Sequence, residues 1–338
     1  MKNNIPNPHP CTPLHFMERG MNSPKAKKGV RWLLVIGFLI LSFHAPAWAD
    51  GQAGLDIAVL KAGVGARPLG MGSAFTAIAD NVDAPYWNPA GLSQIKNYQI
   101  SAMQTKLSSD ADHYYISYVM PFLSGGLGLS WIQIGMGSIT QTTATTDAFN
   151  EVESLGIFSY YSNAYLLAYG QNITDNLSFG INAKYLTSDM PGLVSIEGAS
   201  AYGYSVTPGL LYKPTKYLSI GFKIDEMVNY QKWGTDTEET VPSKYRLGLA
   251  YNTLILNSYP LILSADLSQI NKAGYVAEAN GGAELTIGQI AFRLGTSDNS
   301  LTAGAGFGAE HIRIDYAYVT QTALSKDNVH RVSLTGIW

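Results

Sequence analysis

The side chains that could carry acid–base, nucleophilic or metal chemistry are few and poorly spaced for it. His113, His311 and His330 have no ligand-like spacing, and no Gly-x-Ser-x-Gly elbow offers a serine nucleophile. Glycine pairs at Gly70–Gly72 and along Gly304–Gly308 do not sit between a buried strand and an opening helix, so they do not read as phosphate cradles. The acidic stretch Asp236–Glu239 reads as a solvated loop tip with at most weak affinity for a cation. What remains is electrostatic. Lys184, Lys223, Asp225, Lys244, Arg246, Asp266, Glu284, Arg293, Arg313, Asp315 and Arg331 all occupy the polar positions of alternating segments. Charges of both signs on one face suit a wet or internally paired interior and are costly against lipid.

Those charges need strands to carry them. From Tyr98 onward the period is two. Leu177, Phe179, Ile181, Ala183 and Tyr185 alternate with Ser178, Gly180, Asn182 and Lys184; Leu218, Ile220, Phe222 and Ile224 alternate with Ser219, Gly221, Lys223 and Asp225. Strands are predicted near 98–106, 112–121, 125–134, 158–171, 176–187, 201–213, 216–226, 243–253, 259–269, 278–287, 290–296, 301–309, 311–320 and 330–338. Longer polar loops are predicted at 135–157, 188–200, 227–242, 270–277 and 321–329, and short turns between the other strands. Short turns on one rim and long loops on the other predict an all-β fold: a transmembrane, antiparallel, up-and-down barrel of about fourteen strands. The apolar face carries Trp131, Tyr185, Tyr245, Tyr251, Tyr316 and Trp338, which suits interfacial girdles. A soluble β-sandwich is the competing architecture, but it explains neither the loop alternation nor the two ends of the chain.

At the N-terminal end, Lys25, Lys27, Lys28 and Arg31 precede the apolar run WLLVIGFLILSFHA and the small-x-small Ala47-Trp48-Ala49. Residues 1–49 therefore read as an export signal, with Met21 or Met17 as a better start; the run is short for a membrane anchor. The single cysteine, Cys11, falls in the removed part, which leaves the mature chain without disulfides or thiolate chemistry. A net charge of −3 gives no basic footprint for nucleic acid. At the other end, VHRVSLTGIW stops on Trp338, which reads as an assembly signal for the outer-membrane barrel machinery. Between signal and barrel, residues 50–97 are rich in Gly and Ala and weakly periodic. With both barrel ends at the periplasmic rim, this segment starts at the mouth of the pore and is expected to fold inside the lumen as a hatch, ahead of a barrel over 98–338.

The stretch GARPLGMGSAFTAIADNVDAPYWNPAGL, Gly65–Leu92, resembles the N-terminal signature of the PorV/PorQ family of outer-membrane barrels. It resembles more distantly the hatch of FadL-type transporters of hydrophobic compounds. The pieces that carry the likeness are Arg67, Gly70, Met71 and Gly72, then Asp80, then Asn88-Pro89-Ala90. The resemblance implies a short N-terminal plug in a fourteen-stranded barrel. Gly336, third from the end, departs from the bulkier residue common there, and the charged lumen departs from the apolar tunnel of FadL-type proteins.

In their own right, Gly65, Gly70 and Gly72 allow close backbone approach, Met71, Phe75 and Ile78 offer packing surface, and Asn88 ahead of Pro89 can close an Asx turn. Arg67, Asp80 and Asp83 are expected to meet lumen charges of opposite sign. The function expected is a hatch-gated channel for small hydrophobic molecules in the outer membrane. The alternative implied by the resemblance is a PorV-like component of type IX secretion that handles exported proteins. Neither reading calls for enzymatic activity, a metal or a cofactor.

Overall fold

A computed structural model describes residues 58–107, 111–143, 152–193, 199–297, 300–320 and 328–338. The expected export signal lies outside these residues. The strands are β1 Gln99–Lys106, β2 Ala111–Phe122, β3 Gly125–Thr142, β4 Ser154–Asn172, β5 Leu177–Asp189, β6 Ser200–Tyr212, β7 Leu218–Asp225 and β8 Val228–Trp233. They continue as β9 Glu238–Glu239, β10 Lys244–Ile255, β11 Tyr259–Ile270, β12 Glu278–Ile287, β13 Ile290–Ser297, β14 Ser300–Gly308, β15 Ile312–Val319 and β16 Val329–Ile337. β1 pairs with β2 on one side and β16 on the other, and every neighbouring pair is antiparallel, so the sheet closes on itself. β7 and β8 run in succession along β6, and β9 is a two-residue return against β8. Merging β7 with β8 and setting β9 aside reduces the sixteen strands to fourteen staves. Closure leaves no open edge around the ring, apart from the short β8–β9 return, and lets a strand-built protein cross a bilayer.

The two faces separate cleanly. In β5, Phe179, Ile181 and Tyr185 are exposed while Ser178, Gly180, Asn182 and Lys184 are buried. In β16, Val332 and Leu334 are exposed while Arg331, Ser333 and Thr335 are buried. Apolar outside and polar inside inverts the soluble pattern and excludes a sandwich with a polar exterior. At the rim bearing the barrel's first and last residues, the backbones of Tyr98 and Trp338 exchange hydrogen bonds of 3.0 and 3.1 Å. The Trp338 ring stacks on Tyr98 at 6.3 Å and lies 6.4 Å from Tyr118, forming a girdle patch across the β16–β1–β2 seam.

The structure corrects the loop expectations in two places. Within 135–157, residues 135–142 and 154–157 are strand: β3 has 18 residues and β4 has 19, longer than the roughly ten that a tilted strand needs to cross a bilayer. Both therefore project beyond the apolar band. The predicted loop at 227–242 carries β8 and β9. The predicted stave 216–226 ends at Glu226, whose φ of 54° breaks the strand before β8 resumes it.

Residues 58–97 lie inside the barrel. They form α1 Ala58–Lys61, α2 Ala66–Gly70, α3 Ala84–Trp87 and a 3-10 turn Pro89–Gln94. Val64, Met71, Phe75, Ala79, Leu92 and Asn88 are almost wholly excluded from solvent. A segment this short cannot build a core alone; the barrel wall provides the other half of it.

Candidate functional site

The contact between hatch and wall is the candidate site. Its centre is Arg67, on α2. The guanidinium forms a two-point contact with Glu284 of β12, Nε to Oε2 at 2.9 Å and Nη2 to Oε1 at 2.8 Å. Its Nη1 meets Asp80 Oδ1 at 2.5 Å. Glu284 also accepts from Arg293 Nε of β13 at 2.5 Å; Arg293 Nη2 pairs with Asp315 Oδ1 of β15 at 2.8 Å; Arg313 Nε reaches Asp315 Oδ2 at 3.0 Å. Three arginines thus alternate with three carboxylates. Burial alone would lower the Arg67 pKa, but Asp80 and Glu284 more than offset it and hold it well above the ordinary value. Asp80 therefore pairs within the hatch and not with a lumen charge as expected.

Asp83 also departs from expectation, because no lumen cation meets it. Its Oδ2 accepts from Asn81 Nδ2 at 2.8 Å, and its Oδ1 has no partner. Burial without an ionic partner pushes its pKa up to about 6.

Three further wall charges contact the hatch. Asp266 Oδ2 of β11 accepts the amides of Phe75 and Thr76 at 3.2 and 3.1 Å. Lys223 Nζ of β7 bonds the Tyr86 carbonyl at 3.1 Å and pairs with Asp225 at 2.8 Å. Arg246 of β10 lies over the Trp87 ring at 5.7 Å. Lys184 of β5 does not touch the hatch; it pairs with Glu226 and donates to Thr207 at 3.0 Å. Glu226 was not anticipated as a lumen charge, because an unbroken strand was expected through it.

The motif residues are positioned as follows. Asn88 Oδ1 accepts from Ala90 N at 3.1 Å, the expected Asx turn, and Asn88 Nδ2 donates to Thr76 O at 2.8 Å and Leu210 O at 3.0 Å. Pro89 and Ala90 press directly on Gly180 of β5, where a Cβ would lie 2.2 Å from Pro89 C. Gly70 accepts from Thr302 Oγ1 at 3.1 Å. Met71 is fully buried with its carbonyl against Gly282, and Gly72 adopts φ 62°. Trp338 follows Ile337 of the terminal rim, and its exposed ring lies on the outer girdle.

The wall is not uniform in charge. Side chains turned inward from the described residues of β1–β4 include no Lys, Arg, Asp or Glu. They include Met103, Tyr115, Val119, Ile132, Ile134 and Leu166, all buried. Lys106 and Asp112, the charged residues of β1 and β2, occupy outward positions. The first hatch helix, α1, packs against β3 and β4 on this charge-free side.

Where the hatch meets the terminal rim, a cavity of about 240 Å³ is lined by Arg67, Asp80, Asn81, Gln99, Arg313, Thr335 and Ile337.

No protein-family model and no curated protein matches this chain. Solved structures do. The CymD monoaromatic hydrocarbon channel aligns with TM-score 0.55 at 12% identity, over 84% of this chain and 99% of that one. The Pseudomonas putida toluene transporter TodX aligns with TM-score 0.54 at 12% identity, over 81% and 96%. A Pseudomonas aeruginosa FadL homologue aligns with TM-score 0.50 at 13% identity, over 85% and 99%. At such identities the likeness is one of fold, and it runs nearly the full length of each channel: this chain has the barrel architecture of bacterial FadL-like hydrocarbon channels.

Proposed function

We propose that this chain is an outer-membrane channel for small hydrophobic molecules, with residues 58–97 as the hatch that gates it. The observation that carries the reading is the charge-free inner wall of β1–β4. An apolar solute passing the arginine–carboxylate side would meet charges; along β1–β4 it meets aliphatic and aromatic side chains interspersed with uncharged polar ones such as Ser101, Ser117 and Ser130. The hatch's α1, α3 and 3-10 turn all pack on that wall, so displacing them together would open an uncharged track. Similarity of fold to a monoaromatic hydrocarbon channel and a toluene transporter supports the same solute class. On this reading residues 1–49 are the export signal, Trp338 is read by the assembly machinery, and the chain is not an enzyme.

The test is deletion of residues 54–92 with signal and barrel kept. Raised conductance in planar bilayers and faster toluene entry into cells are expected. Unchanged conductance, with insertion verified by heat-modifiable migration, would refute the plug. The secretion reading rests on the Gly65–Leu92 motif alone. It requires the other secretion components in the same genome and a surface defect in exported proteins when this chain is removed.

A further inference from the structure

We propose that the cavity at the terminal rim binds a small organic carboxylate, which takes the place of Asp80 on the Arg67 guanidinium with Arg313 as its second cation. The cavity of about 240 Å³ presents two guanidinium groups and one carboxylate. The other two acids of the network sit behind the arginines: the Glu284 and Asp315 side chains are each only 5% exposed. Asp80 is the exception at 38%, and it is the only acid of the network contributed by the hatch. Its grip on Arg67 is also lopsided, 2.5 Å from Nη1 but 3.5 Å from Nη2. Arg67 itself is buried, so Asp80 is the one partner of this guanidinium that a solute can reach, whereas the two-point contact to Glu284 is closed off.

Arg313 supplies the second half of the site. It is 28% exposed and opens into the same cavity, with its Nε satisfied by Asp315 at 3.0 Å and its Nη2 at a looser 3.7 Å from Glu284. The group to be replaced, Asp80, is itself a carboxylate, and a guanidinium fork takes a carboxylate in a planar two-point contact. Gln99 Oε1 accepts from the Val82 amide at 3.0 Å, which ties the rim strand to the hatch side of the cavity. Ile337 adds apolar surface for the organic part. Occupancy would release Asp80, the most exposed ionic tie between Arg67 and its own segment. This site rests on the rim geometry and not on the channel reading: the deletion experiment can fail while carboxylate binding stands, and the reverse also holds.

The experiment is a titration of the full chain, in lipid nanodiscs, with 4-fluorobenzoate followed by ¹⁹F NMR. Saturable binding is expected. Arg313→Gln should weaken it about tenfold, the worth of one charge-assisted contact. Asp80→Asn should strengthen it severalfold by removing the competitor. 4-Fluorotoluene should not displace the probe, and inorganic phosphate should displace it only weakly. Absence of saturable binding, or an affinity that Asp80→Asn leaves unchanged, overturns the proposal; phosphate competing as well as benzoate overturns the carboxylate assignment. If Arg313→Gln fails to insert, the Asp80→Asn comparison decides alone.

Discussion

Arg67 sits where the hatch's hold on the wall converges. Removing it leaves Glu284 buried against Arg293 with one cation fewer, and breaking such a buried pair costs about 3–5 kcal/mol. Arg67→Lys is expected to lose most of that too, because an ammonium cannot span both Glu284 oxygens while holding Asp80. Faster hydrogen exchange across residues 62–90, with the barrel amides unchanged, would register the loss; unaltered exchange would show that the backbone contacts alone hold the hatch. Asp83 gives the opposite kind of prediction. Its pKa is raised in the folded state to about 6 from an ordinary value of 3.8. The stability it contributes is therefore full below about pH 4 and lost as pH rises through 6. Asp83→Asn should abolish that loss and make the hatch more protected at pH 8, by up to about 3 kcal/mol. Exchange measured at pH 5 and pH 8 in both proteins checks it: the wild type should loosen with pH after correction for intrinsic rates, and the variant should not. Arg67 and Asn88 were legible from their motif. The lone position of Asp83 was not, because sequence shows that an acid exists and not which cations its segment will face.

At the scale of elements, alternation was the reliable signal. The β5, β7, β10 and β15 faces follow their apolar and polar sets residue by residue, since the side-chain period of a strand is two wherever it pairs. Leu247, on the outward face of β10, should as Arg cost roughly 2–4 kcal/mol near the midplane; unfolding measured in lipid that tolerated it would reverse the face assignment. What alternation cannot reveal is a strand that breaks and resumes, as at Glu226, or one that overruns the membrane, as β3 and β4 do. Neither needs a change of period. The inner glycines carry a separate prediction. At Gly180 a methyl group would fall 2.2–2.5 Å from Pro89 and Ala90 backbone atoms, which no rotamer can relieve. Gly180→Ala should insert as a barrel with the Asn88–Ala90 turn displaced, seen as raised conductance. Wild-type conductance would mean that the turn can shift without opening the bore.

For the molecule as a whole, the division of the lumen matters more than its average polarity. β3 and β4 contain no charged residue in their described lengths, a fact visible in the sequence. Its meaning was not visible, because neighbours around a closed ring are set by pairing between distant segments. Placed side by side, β1–β4 form the longest run of staves with no inward charge; β6 and β14 are uncharged too, but each stands between charged neighbours. A single charge on that run should therefore be more disruptive to solute passage than a charge added elsewhere. Ala164→Asp, inward on β4, is expected to slow toluene entry while leaving heat-modifiable migration intact; entry at the wild-type rate would move the path away from this wall.

The hatch is also tied to the strand most distant from it in sequence. Ala66 N donates to Ser333 Oγ at 2.8 Å across 267 positions, and Arg331 Nη1 reaches Gly63 O at 3.3 Å across 268. Both ties come from β16, which meets β1 at the seam. During synthesis the early segment must wait for nearly the whole chain before these partners exist, and loops of that span are entropically slow to close. Seating of the hatch and closure of the cylinder share these contacts, so Ser333→Ala is expected to slow both together in refolding followed by heat-modifiable migration, and closure at the wild-type rate would separate the two events.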